Sequence, residues 1–191
     1  MDIKEYQLFS SPVWSIQNNL TDQDIDHLTQ FAYGAVKQWP LAKPVSKRNG
    51  MNSQPISFNN PTLMKILSES IETMKDIYEP VVELRLEKYW ININPPGAYN
   101  IRHTHPRTVM ACTLYIETPE NCGDIVFYNP NPAACFATYS NKPEPYNFTE
   151  YRIKPTPGLF VAFPGWLDHS VDINTGTSDR ISISMNLVTR D

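Results

Sequence analysis

From Val82 onward this chain never sustains a helical period. Its apolar residues fall in short runs rich in β-branched and aromatic side chains, at 83–94, 109–117, 124–128, 151–154, 158–163, 168–173 and 180–188, divided by Pro, Gly or Asn. Such runs suit strands, and proline, which cannot donate to a ladder, marks where they stop. A region built this way has to close strands against one another. The first part of the chain differs. Residues 5–16 read as a short strand interrupted at Pro12, and Thr21 is placed to cap a helix over 22–38 that carries Leu28, Phe31, Ala32 and Val36 on one stripe. Pro40 and Pro44 end it, the polar stretch 41–60 around Gly50 reads as a loop, and a second amphipathic helix is expected over 61–78. Two helices followed by strands make a mainly β, α+β pattern with the helices on one face of a sheet.

Composition narrows the class. At 191 residues the chain suits one domain, 1–191, with 1–80 as a supporting strand and helices and 81–191 as the core. Apolar residues at 41% and charged ones at 19% exclude a disordered tail. A net charge of −4 offers no basic excess for phosphate, which argues against a nucleic-acid partner. Cys112, Cys122 and Cys135 form no CxxC pair and are odd in number, against a disulfide framework. Cys112, in an apolar run, reads as a small buried residue. The N-terminal MDIKEYQLFSSPVW lacks a basic and an apolar signal region, and no apolar run approaches the ~20 residues of a membrane span. A soluble, cytoplasmic protein without a membrane partner is expected. The Pro/Asn-rich stretch 129–147 reads as a long loop.

Three strings could carry chemistry. In HTHP (103–106) the two histidines stand two apart, so on a strand both imidazoles share a face and Arg102 and Thr104 point away. In PGLFVAFPGWLDHSV (157–171) a strand stops at Pro164 and the chain resumes at His169. In DRISISMN (179–186) Arg180, Ser182, Ser184 and Asn186 share one face and Ile181, Ile183 and Met185 the other. The apolar face fits a core. The polar face, taken alone, fits a solvated edge strand.

Joined, the strings form an ordered constellation: His103 and His105, then His169 66 residues after the first, then Arg180 eleven further on. This resembles the iron(II)/2-oxoglutarate-dependent oxygenase superfamily, whose pattern is HxD/E, a distal His, and an Arg or Lys soon after. More narrowly it is similar to a group of oxygenase-like sequences from marine phages and bacteria. Here their elements are Trp90 and Asn92, Gly97, His103 with His105 and Pro106, Tyr115, Pro157 with Gly158, Phe163 with Pro164, His169 with Val171, and Arg180, Ser182 and Asn186. The opening LFSSPVW is similar as well.

The resemblance implies a double-stranded β-helix (jelly-roll) core, Fe(II), the cosubstrate 2-oxoglutarate, and O₂. It implies a hydroxylase that couples decarboxylation of 2-oxoglutarate to succinate with oxidation of a peptide or small molecule, located in the cytoplasm (the host's, if phage-encoded), with a homodimer as one possible assembly. His103 and His169 carry over as ligands. Position 105, where the pattern expects a carboxylate, is His. Three readings of the metal shell therefore stand: His105 is the third ligand; Asp124, opening a strand, supplies a carboxylate; or the metal is zinc, copper or nickel, which imidazole also suits. By resemblance Arg180 binds the distal carboxylate of 2-oxoglutarate, since a guanidinium pairs bidentately with a carboxylate. Ser182, Tyr115 and Asn92 would supply further polar contacts. Two alternatives remain at this point, a cupin-like three-histidine dioxygenase that needs no 2-oxoglutarate and a non-catalytic jelly-roll module. Trp14, Trp39 and Trp166 are expected in the core or at a pocket rim.

Overall fold

The computed structural model describes residue 4 and residues 10–43, 45–56, 60–78, 83–131, 133 and 148–189. Residues 5–9 of the strand expected over 5–16, Cys135 and most of 129–147 lie outside the described residues. Strand β1 (Trp14–Gln17) leads into helix α1 (Asp22–Gln38). Thr21 caps that helix as expected: its hydroxyl accepts from the Asp24 amide at 3.1 Å while the Asp24 carboxylate accepts from the Thr21 amide at 3.0 Å. Two-residue strands β2 (Lys47–Arg48) and β3 (Met51–Asn52) precede helix α2 (Pro61–Tyr78). Then come β4 (Leu84–Asn94), β5 (Tyr99–His103), β6 (Met110–Glu117), β7 (Ile125–Tyr128), β8 (Glu150–Ile153), β9 (Leu159–Pro164), β10 (His169–Val171) and β11 (Arg180–Thr189). No helix among the described residues is long and apolar enough to cross a membrane.

The strands form two sheets, one ordered β1-β9-β6-β11-β4-β3 and the other β2-β5-β10-β7-β8, with every named pairing antiparallel. Side-chain alternation gives the larger sheet two faces. One face presents Tyr89, Ile91, Ile93, Leu114, Ile116, Ile181, Ile183, Met185 and Leu187 to Leu28, Ala32, Leu63, Leu67 and Met74 of the helices. The other face joins Ala111, Tyr115, Val161 and Phe163 to Ile125 and Phe127 of the smaller sheet. The helices pack where the sequence pattern placed them, on one face of a sheet.

Two expectations change. The stretch 41–60 is not featureless: β2 pairs with β5, β3 pairs with β4, and bridges join Pro40 to Ser53 and Ile56 to Tyr89. Strands of two residues are too short to show a period. And β11 is no solvated edge strand. It lies between β6 and β4, and Arg180, Ser182 and Asn186 are buried. Each apolar residue on its helix-facing side contributes roughly 1.5–3 kcal/mol by burial. Burying Arg, Ser and Asn on the other side costs free energy unless each finds partners. Stability therefore explains one face of β11 and leaves the other to function.

Candidate functional site

The polar face of β11 looks into the space between the sheets. Across the ladders Ser182 stands opposite Tyr115 of β6 on one side and Asn92 of β4 on the other, and Asn92 stands opposite Asn52 of β3. One row of four polar side chains thus crosses the larger sheet. Asn52 Nδ2 donates to Asn92 Oδ1 at 2.8 Å, and Asn92 Nδ2 donates to Ser184 Oγ at 2.8 Å. Burial pushes the Tyr115 phenol up to about 12, so it stays protonated and can donate.

The histidines come from the smaller sheet. His103 ends β5 and lies directly opposite His169 at the start of β10. His105 is not on that strand, as the i,i+2 reading expected. It lies in the loop beyond, where its amide donates to the Gly165 carbonyl at 2.8 Å. Gly165 is needed there, because a Cβ would come within 2.2 Å of the Thr108 carbonyl oxygen. The FPG turn and the HTHP loop therefore press backbone to backbone, and this contact brings His105 to the other two. Arg102 points away as expected, with its guanidinium 4.3 Å from the centre of the Tyr128 ring and 2.7 Å from Asp168.

The three imidazoles offer ligand atoms that all lie within 4.8 Å of one another. Each has its Nδ1 against an oxygen: Ile101 O at 2.8 Å from His103, Asn186 Oδ1 at 2.9 Å from His105, and Leu167 O at 3.0 Å from His169. An oxygen there selects the tautomer protonated at Nδ1 and frees each Nε2 lone pair. Burial pulls His105 down to about 4 and His169 down to about 3, and lowers His103 as well. Three neutral imidazoles with free lone pairs are a donor set that fits a divalent transition metal. Among the described residues no carboxylate joins them. Asp124 is not brought to the histidines; its neighbour Ile125 lines the cavity instead.

That cavity is lined by His103, His105 and His169 together with Trp90, Asn92, Tyr115, Arg180 and Ser182, so the residues singled out in the sequence share one chamber. Arg180 is 2% exposed. Its Nη1 donates to the carbonyls of Cys122 at 3.3 Å and Gly123 at 3.2 Å, while its Nε is buried with no partner. An orphaned guanidinium donor is costly inside a protein and fits a carboxylate ligand. Trp14 and Trp39 pack against the helix-side core, whereas Trp166 is 56% exposed. Cys112 is buried and its thiol is pushed up, consistent with an inert core residue. Sequence reading missed Asn52, which also lines the chamber; on a two-residue strand it gives no periodic signal.

A family model described as "Putative 2OG-Fe(II) oxygenase" matches residues 88–186, just over half of the chain. The chain belongs to this oxygenase family. As a member, the oxygenase uses Fe(II), 2-oxoglutarate and O₂. No curated protein sequence matches it. Solved structures share its architecture at low identity. A prolyl-4-hydroxylase of Pseudomonas putida aligns with a TM-score of 0.67 and 15% identity over 96% of both chains. A viral collagen prolyl hydroxylase of Paramecium bursaria Chlorella virus-1, solved with 2-oxoglutarate, gives 0.62 and 16% over 92% of this chain and 94% of its own. A Trichoplax adhaerens prolyl hydroxylase gives 0.65 and 16% over 96% and 86%. At these identities the likeness shows the fold, a double-stranded β-helix.

Proposed function

We propose that the oxygenase is a hydroxylase whose metal is held by His103, His105 and His169 and whose 2-oxoglutarate is anchored by Arg180. The observation that carries this reading is Arg180, whose buried Nε has no partner, lining the same chamber as three neutral histidines. When bound, the metal and cosubstrate supply oxidation of a C–H bond coupled to conversion of 2-oxoglutarate and O₂ to succinate and CO₂. The chain's own residues do the rest. Ile101, Asn186 and Leu167 hold the imidazoles in the ligating tautomer. Arg180 binds the distal carboxylate, and Ser182 and Tyr115 donate hydroxyl hydrogen bonds from the same sheet face. Phe127 and Phe163, with ring centres 6.2 and 4.6 Å from that of His169, give this imidazole an apolar backing that would exclude water from the site.

A three-histidine dioxygenase that does without 2-oxoglutarate would leave Arg180 idle in this chamber, and a non-catalytic module would leave the free Nε2 atoms unused. The primary substrate is a peptide or a small molecule. The prolyl hydroxylases among the structural neighbours favour testing peptides first. We read 1–80 and 81–191 as one domain because α1 and α2 share a core with β4, β6 and β11.

The test is a screen of proline-containing peptides and small metabolites under ¹⁸O₂ with Fe(II) and 2-oxoglutarate, read by mass spectrometry. A hydroxylase adds one labelled oxygen and forms succinate in equal amount. Substrate oxidised without succinate would refute the reading.

A further inference from the structure

Among the described residues two buried side-chain atoms have no hydrogen-bond partner, Arg180 Nε and Asn52 Oδ1, and both residues line the histidine chamber. The two differ in kind. The guanidinium is a donor and suits the 2-oxoglutarate dianion. The carboxamide oxygen is an acceptor, and every oxygen of that dianion is an acceptor too, so the cosubstrate cannot satisfy it. A buried acceptor left unpaired is costly.

Asn52 belongs to a segment that spans the two sheets. β2 is the terminal strand of the smaller sheet and β3 the terminal strand of the larger, so residues 47–52 cross from one to the other. Asn52 is 8% exposed, and it lies outside residues 88–186, the part that matches the oxygenase family. Its Nδ2 is engaged by Asn92 Oδ1 at 2.8 Å, and Asn92 donates in turn to Ser184 Oγ at 2.8 Å. This chain of bonds fixes the carboxamide with its oxygen free. Trp90 shares the chamber face of β4 with Asn92 and stands diagonally across the ladder from Asn52. Its ring centre is 6.0 Å from that of His105, with the planes 25° apart. One wall therefore runs from a metal ligand over an indole to an unpaired acceptor.

The missing donor has to be neutral. No carboxylate lines the chamber among the described residues, and Arg180 already places a cation there. A buried ammonium would have no counter-charge.

We propose that Asn52 and Trp90 form a subsite for the primary substrate. Asn52 Oδ1 accepts a hydrogen bond from a neutral amide N–H or hydroxyl of the substrate, and the indole covers the apolar group beside that donor. The proposal deepens the hydroxylase reading above and rests on it.

The test uses three probes on one scaffold that has no N–H of its own. N-acetylproline methylamide carries a single N–H, N-acetylprolinol a single O–H, and N-acetylproline dimethylamide neither. Each is titrated by calorimetry, without oxygen, into wild type and Asn52→Leu loaded with Fe(II) and 2-oxoglutarate. In wild type the better of the two donor-bearing probes is expected to bind about tenfold more tightly than the dimethylamide, as pairing one buried acceptor would give. Which of the two it is tells an amide donor from a hydroxyl. In Asn52→Leu that preference is expected to vanish, with the dimethylamide changed by no more than about twofold. The wild-type ratio stands even if the variant folds poorly. Equal binding of all three probes by wild type, binding of none, or a preference that survives in Asn52→Leu overturns the proposal and leaves the oxygen to a water molecule. Failure of the parent reading shows separately, as iron-loaded wild type that develops no charge-transfer band with 2-oxoglutarate before any probe is added.

Discussion

The Nδ1 of His105 stands 2.9 Å from Oδ1 of Asn186, which lies on the same face of β11 as Arg180. One strand therefore orients the unusual third histidine and carries the cosubstrate arginine. Asn186→Ala removes the oxygen that fixes the His105 tautomer. Loss of such an outer partner costs roughly 10–100-fold in metal affinity. Competition with a chelator measures it, and unchanged affinity would mean that His105 is not a ligand.

Arg180→Met keeps the volume of the stem and deletes the guanidinium. The expected result is loss of 2-oxoglutarate binding by roughly thirtyfold or more, the worth of a buried charge-assisted pair. Iron content should stay stoichiometric because none of the three ligands is touched. Loss of the metal along with the cosubstrate would give Arg180 another job.

Gly165→Ala forces a Cβ to within 2.2 Å of the Thr108 carbonyl and 2.9 Å of the His105 carbonyl. Backbone cannot yield there cheaply, so the HTHP loop must shift. A loss of about 2 kcal/mol or more in unfolding free energy is expected, with weakened metal binding. Thermal melts and metal titration of the variant check it.

The metal-free protein should lose stability in mild acid. The folded-state values of about 4 for His105 and about 3 for His169 lie below the ordinary 6.5. Between those limits the unfolded chain holds more protons than the folded one, so stability rises with pH and is lost progressively as pH falls below about 6.5. Melting temperatures of the metal-free protein at a series of pH values between 4 and 8 test the sign. The metal-loaded protein should show a steeper fall, because acid must also displace the ion.

Much of this was legible in the residues, for identifiable reasons. The alternation of Ile181, Ile183 and Met185 with Arg180, Ser182 and Ser184 is a strand signal that context cannot blur. What it could not tell is where the strand sits in its sheet, and only that decides whether a polar face meets water or a sealed chamber. The convergence of His103 and His105 was foreseen through strand geometry. It arises instead from a strand end at His103 and a loop pressed onto Gly165. Asn52 was not legible at all. It sits on a two-residue strand in a polar stretch, where no period exists.

The most direct test is an anaerobic titration of the Fe(II)-loaded protein with 2-oxoglutarate. A metal-to-ligand charge-transfer band is expected to grow and saturate at one equivalent, and to be absent in His103→Ala and His169→Ala, which should hold no iron. Wild-type protein that carries stoichiometric iron and develops no band would contradict a three-histidine, 2-oxoglutarate-binding centre.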